Sequence, residues 1–291
     1  MKMKMSKGDR LFYFVDYLLI ILIVGATLYP FVYILSASFS DPYSVLRGEI
    51  LLFPKKFNLN AYKSVFSSNE IWYSYKNTIW YVVVGTSVNI AMTILMAYPL
   101  SRKKFFARKQ INFFIAITMF FTAPLIPTYL VVRNMHLIDS MWALVIPSAI
   151  DSFYLIIMRS FFEQIPESIF EAATIDGCND IQILFKIVIF LSGPVIAVMV
   201  LFYAVFHWNS YFGALLYLND SSKYPLQMIL RKILISMDVN KMTGSVNDTS
   251  TAISMSVQYA SIVVSTVPIL CIYPFLQKYF VQGMMIGAVK E

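Results

Sequence analysis

The sequence predicts an all-α integral membrane protein with about six transmembrane helices and both termini on the cytoplasmic side. Three observations carry this expectation: the composition, the length of the apolar runs, and the position of the positive charges between them. Of 291 residues, 58% are hydrophobic and only 13% charged, with a mean hydropathy of +0.67. Soluble domains average about 45–50% apolar and about 25% charged. A helix crossing the hydrocarbon core needs about 20 mostly apolar residues. Such windows lie near Phe14–Ala37, Thr78–Leu100, Asn112–Val132, Met141–Met158, Ile187–His207 and Ser256–Leu276. The short alternating segments of a barrel are missing, so the spans are expected to be helices, which satisfy their own backbone groups in lipid.

Taken in order, the first span follows "MKMKMSKGDR", which holds Lys2, Lys4, Lys7 and Arg10. Its apolar run exceeds the roughly 7–15 residues of a cleavable signal, and no A-x-A site follows, so it is expected to stay in the chain. The outer loop at about 38–77 mixes turn residues with aromatics and is expected to pack as a small extracellular cap. After the second span, "SRKKFFARK" holds Arg102, Lys103, Lys104, Arg108 and Lys109. These two basic stretches set the orientation under the positive-inside rule. The third span contains Pro124 and Pro127, the fourth Pro147, and the sixth Pro268 and Pro274. Proline frees carbonyls that neighbouring groups must satisfy, and kinked helices suit a protein that opens and closes.

The gap at about 160–186 then faces the cytoplasm, and the gaps at 133–140 and about 208–255 face outward. In the last, "YPLQMILRKILISM" (224–237) is too short and too charged to span, and reads as a surface or re-entrant helix. "NKMTGSVNDTS" after it reads as a polar, mobile tail. The net charge of +7 follows the gaps between spans, which argues against nucleic acid as a partner. Cys178 and Cys271 have neither metal-ligand spacing nor a disulfide partner in view. The whole of residues 1–291 reads as a single transmembrane domain.

One stretch interrupts the oil. "PESIFEAATIDGCND" (166–180) carries Glu167, Glu171, Asp176 and Asp180. Pro166 suits a first helical position, and Gly177 can close the helix in a left-handed conformation after roughly 11 residues. Asn179 can cap a second helix, with Gln182 as its capping-box partner. Glu167, Glu171 and Thr174 share one face at i, i+4 and i+7. Ile169, Phe170, Ala173 and Ile175 fall largely elsewhere and are expected to anchor the helix. Ala172 and Ala173 remove bulk beside Glu171, which suits a docking helix. An ordinary solvated turn is the plainer alternative.

"EAATIDG" (171–177) resembles the EAA loop of permease subunits of binding-protein-dependent ATP-binding-cassette importers for carbohydrates, the maltose-permease-like group. "RSFFEQIPESIF" (159–170) resembles the run before that loop. The family pattern continues with nine residues and Ile-x-Leu-Pro. Ile187 falls in place, while Ile189 and Phe190 replace the Leu-Pro pair. "LYPFVYILSASFSDP", "LNAYKSVF" and "WNSYFGALLYLNDSSKYPLQMILRKIL" are similar to the branch that imports complex oligosaccharides.

The resemblance implies a type I importer permease fold in a bacterial plasma membrane. It implies a heterodimer with a second permease, and two copies of a cytoplasmic ATPase that carry ATP and Mg and dock on Glu167, Glu171, Ala172, Ala173, Asp176 and Gly177. An extracellular substrate-binding lipoprotein would deliver the oligosaccharide. This chain itself would bind no cofactor and catalyse no reaction. It has no G-x-x-x-x-G-K-[ST] loop and no nucleophile–base set.

Pathway candidates are fewer. Asp151 reads as a mid-span carboxylate, which faces either the pathway or a neighbouring helix near Pro147. Tyr203, His207, Trp208, Asn209 and Tyr211 form either an outer sugar mouth or an interfacial aromatic belt. Asn89 is a further pathway candidate in the second span. A secondary transporter or channel for a small solute is the rival reading, with Asp151 as its sole coupling carboxylate.

Overall fold

The computed structural model describes residues 7–121, 123–242 and 248–288, and among these every regular element is helical. The chain groups into two compact units, Met1–Asn69 with Lys232–Val267, and Glu70–Arg231 with Pro268–Glu291.

In the first unit, the Lys7–Ser38 helix carries Asp9 in its first turn, where the helix dipole favours a carboxylate. Its side chains from Leu11 to Phe31 are exposed on every face, as in a helix solvated by lipid. Hydroxyls pin its far end. Ser36 Oγ donates to the Leu52 carbonyl at 2.6 Å, and Ser38 Oγ shares a 2.7 Å bond with the Tyr62 hydroxyl. The Phe39 ring stacks on Phe57 and Tyr62 at 5.6 and 4.9 Å. Asp41 caps the Pro42–Leu46 helix by accepting from Ser44 N. Ala37, Val45 and Ile50 form a small core with Tyr33 and Tyr259 against it. The expected cap after the first span is therefore a packed element. The polar tail at 240–250 lies partly outside the described residues.

The expected second to fifth spans fall in the second unit, and three of these four windows are broken. The Asn69–Ser101 helix is whole, 33 residues long, and starts well before Thr78. It widens into a π turn at Tyr81–Gly85. Its last residue, Gly85, lies against another helix: a Cβ there would sit 2.4 Å from His207 Nε2. Only glycine leaves room there.

The third window divides into Arg108–Phe120 and Leu125–Asn134, with Pro124 at the start of the second piece. The fourth, Met141–Met158, is a correction to the sequence reading. It is a short 3₁₀ turn at Met141–Leu144, then irregular backbone, then an α-helix at Ser152–Phe162. Pro147 supplies no N–H and disfavours helix at the residue before it. Ser148 Oγ takes up the Leu144 carbonyl at 3.0 Å. The fifth bends by 82° between Asp180–Leu191 and Gly193–Trp208, where Pro194 opens the second piece. The final helix, Asp248–Ala288, runs through Pro268 and Pro274 without a break.

Three helices, Gly8–Ser38, Asn69–Ser101 and Thr251–Cys271, are therefore long and apolar enough to cross a membrane in one piece, and up to five when each bent pair is one span. The second unit's main core joins Ala97, Met158, Val188 and Met199, all fully buried, with Phe170 and Ala173 from the acidic turn.

Candidate functional site

The acidic stretch folds as a helix, a tight turn and a second helix. Pro166 is the N-cap of Glu167–Ile175, one position earlier than a first-turn proline, and the helix has nine residues. Gly177 closes it at φ +81°, donating from its N–H to the Thr174 carbonyl, while Cys178 N–H reaches back to Ala173. Asn179 and Gln182 form the reciprocal capping box. Phe170 and Ala173 are buried, so Ala173 is small because it faces the core. Glu167, Glu171, Ala172, Thr174 and Asp176 are exposed. Ile175, expected to anchor, is instead 86% exposed, and Ile181 beyond the turn is 68% exposed. The outward face is thus mixed: carboxylates beside two bare isoleucines.

Ion pairs stitch this turn to the basic loop. Arg102 contacts Glu167 at 3.2 Å and lies 3.6 Å over the Phe170 ring. Arg108 pairs with Glu163, which Arg159 also meets at 3.5 Å. Charge counting had read Arg102 and Arg108 only as orientation signals. No local spacing announces pairs 65 and 55 residues apart. Glu171 joins no ion pair among the described residues.

Four pathway candidates lie at helix crossings. Asn89 is fully buried; its Nδ2 donates to the Ser148 carbonyl and its Oδ1 meets His207 Nε2 at 2.6 Å. Tyr203, 1% exposed, shares a 2.9 Å bond with Thr93 and accepts from Asp151 N at 3.2 Å. Trp208 is buried, edge-on to Tyr75. Asp151 is not in mid-helix. It is the exposed N-cap of Ser152–Phe162 and accepts from Phe153 N and Tyr154 N. Asn89 and Tyr203 thus tie the irregular 145–151 segment to the two helices that carry them.

Of the candidates, Asn209 and Tyr211 line open space. A cavity of about 820 Å³ lies between the irregular segment and the end of the Gly193–Trp208 helix. Its wall includes Ser148, Tyr154, Phe206, Asn209, Tyr211 and Tyr217, and no charged side chain. Aromatic faces with scattered amides and hydroxyls suit a pyranose, whose rings stack and whose hydroxyls bond. Among the described residues, no cluster of His, Cys, Asp and Glu could hold a metal ion.

A clamp that the sequence did not reveal closes the loops beyond this cavity. Asp139, at φ +58°, accepts from Asn219 N and Asp220 N and pairs with Lys223 at 3.1 Å. The Asp220 amide and the Lys223 ammonium hold the Asp139 carboxyl below its usual range, and Asp139 raises Lys223 in return.

A membrane protein of broken apolar helices, an acidic turn on a capped glycine and a sugar-sized aromatic cavity has the build of a transporter's membrane subunit. Residues 89–286 match the family of binding-protein-dependent transport system inner membrane components, and the chain belongs to that family. It is a multi-pass bacterial membrane permease and not an enzyme. It is 42% identical over 283 residues to the polygalacturonan/rhamnogalacturonan transport system permease protein YtcP of Bacillus subtilis, covering 97% of this chain and 99% of that one. It is 44% identical over 268 residues to Protein LplC of the same organism, covering 92% and 91%. It is also similar to a chain in the crystal structure of a bacterial ABC transporter that imports the acidic polysaccharide alginate. That similarity has a TM-score of 0.88 and 37% identity, and covers 95% of this chain and 99% of that one.

Proposed function

We infer that this chain is one of two permeases forming the pathway of an ATP-driven importer for oligosaccharides that carry uronic acids. The acidic-sugar reading is supported by the names of two similar proteins, one for polygalacturonan and one for alginate. The coupling reading is carried by one observation: the outward face of Glu167–Ile175, with Glu171 exposed and Ile175 bare, on a helix fixed by Phe170 and Ala173.

In this reading the basic ends and the acidic turn face the cytoplasm, with the N- and C-termini on that side. Two copies of an ATPase, holding ATP and Mg, grip the turn. An extracellular binding protein delivers the sugar to the opposite face. Closure of the ATPases moves the turn. The capping box at Asn179 and the Asp180–Leu191 helix pass that movement to the 82° bend at Ser192. The two units work as one permease domain. A secondary transporter or channel has no use for such a turn, and family membership removes that rival.

The test is protection at Ala172, which is exposed in the isolated chain. In an Ala172→Cys variant with Cys178 and Cys271 replaced by serine, a bulky water-soluble maleimide should label position 172 only after the ATPases are stripped. Equal labelling with the ATPases bound would refute the docking assignment.

A further inference from the structure

Among the described residues, Arg231 meets no hydrogen-bond acceptor. It lies half-buried on the Leu226–Met242 helix, its guanidinium carbon 5.1 Å from the centroid of the Tyr211 ring. Its Nη1 is shut off from solvent and meets no hydrogen-bond partner. Arg102, Arg108, Arg159 and Lys223 each meet a carboxylate; among the described residues Arg231 meets none. A cationic N–H withdrawn from water without an acceptor is costly, and such a group calls for an acceptor from outside the chain.

The surroundings say which acceptor. Tyr211, whose ring Arg231 covers, lines the 820 Å³ cavity. So does Tyr217, which stacks on Tyr129 at 6.1 Å with 14° between the planes. Tyr129 in turn lines a second cavity of about 620 Å³ with Arg133. Arg133 sits one helical turn after Tyr129 on Leu125–Asn134, is exposed, and also joins no ion pair among the described residues. Among the described residues, two guanidinium groups without a carboxylate partner therefore stand beside this set of tyrosine rings.

No acidic side chain lines either cavity, so an arriving anion meets no like charge in their walls. Guanidinium binds a carboxylate through paired N–H donors. Rings take the apolar faces of pyranoses, and Asn209 offers an amide to their hydroxyls.

We propose that Arg231 and Arg133 recognise the carboxylates of a uronic-acid oligosaccharide lying along Tyr211, Tyr217 and Tyr129, so that the permease itself selects acidic over neutral chains. This rests on the oligosaccharide importer reading above and names the groups that give it acid selectivity. Arg231 is the main contact: it stands half-buried over Tyr211, and binding turns its guanidinium off that ring from the enclosed position of Nη1 toward the ligand. Arg133, in the open, contributes less.

The test uses the complete importer in nanodiscs without its binding protein, so that only the membrane subunits read the ligand. The probes are trigalacturonate and its methyl-esterified counterpart, which keeps the rings and loses the charge. Wild type should bind the acid more tightly than the ester. Arg231→Gln should weaken acid binding about tenfold, the scale of one lost charge-assisted bond, and leave the ester unchanged. Arg231→Lys should restore part of the loss, and Arg133→Gln should show a smaller loss of the same kind.

If Arg231→Gln weakens acid and ester alike, the residue merely props the Tyr211 ring and the inference fails. If neither arginine variant changes the acid-to-ester ratio while the wild-type importer still takes up galacturonide with its binding protein, the inference alone falls. If the wild-type importer takes up a neutral oligosaccharide and no galacturonide, the acidic-sugar reading falls with it. Arg133 is exposed on its helix, so Arg133→Gln should assemble even if Arg231→Gln does not, and an unchanged acid-to-ester ratio in that variant overturns the inference.

Discussion

Asp151 stands in an apolar run, and its neighbours alone place it inside a span. Pro147, four residues earlier, moves it to a helix start. With no helix before it, its carboxylate takes the orphan amides of Phe153 and Tyr154. It does not line the cavity, although Ser148 and Tyr154 on either side do. The proline was visible in the sequence; its consequence depends on Asn89 and Tyr203 holding the loosened segment, and they come from helices 50 to 60 residues away. Asn caps a helix about as well as Asp. Asp151→Asn should therefore leave both transport and assembly near wild type. Asp151→Ala should cost about 0.5–2 kcal/mol of stability, as lost caps do. Thermal melts of the purified complex and uptake assays check both. Loss of uptake in the Asn variant with an unchanged melt would return Asp151 to the pathway.

At the scale of elements, legibility divides by sequence distance. The acidic turn was readable nearly residue by residue, because glycine closure and a capping box are local patterns completed within a few positions. The misjudged Ile175 followed from assuming that every isoleucine on that helix faces the core. The tight fit at Gly85 was not readable, because His207, which fills the space beside it, lies 118 residues from the Asn89 it bonds and is brought there only by packing. Gly85→Ala would press a methyl into the His207 ring, and overpacking of this kind costs about 1–3 kcal/mol. His207→Ala should lose the Asn89 bond yet accept the extra methyl. The double variant should therefore be less destabilised than the two single losses added together, measured by melting of the complex. Simple additivity would mean that the ring and the glycine do not constrain one another.

For the whole molecule, membrane character and helical class followed from composition and apolar length alone, which do not depend on the arrangement of the helices. The breaks followed only in part: Pro124 and Pro147 mark where the third and fourth windows divide, but Pro268 and Pro274 stand in an unbroken helix, and an apolar window looks the same whether its helix is whole, as at Asn69–Ser101, or bent by 82°, as at Ser192. The proposed mechanism needs those breaks, since a bent span joined to a rigid turn can move without dragging the rest of the core. It also concentrates the contact with the ATPase on Glu171, because Glu167 is already paired with Arg102. The most direct measurement is ATP hydrolysis stimulated by the loaded binding protein, in the reconstituted importer carrying Glu171→Arg. Charge reversal places like charges together at the interface, which can cost several kcal/mol. Stimulated hydrolysis and uptake should collapse while the two permeases still co-purify, since Glu171 lies outside the packed core. Normal stimulated hydrolysis and normal uptake in that variant would contradict the coupling role and leave the turn an ordinary solvated loop.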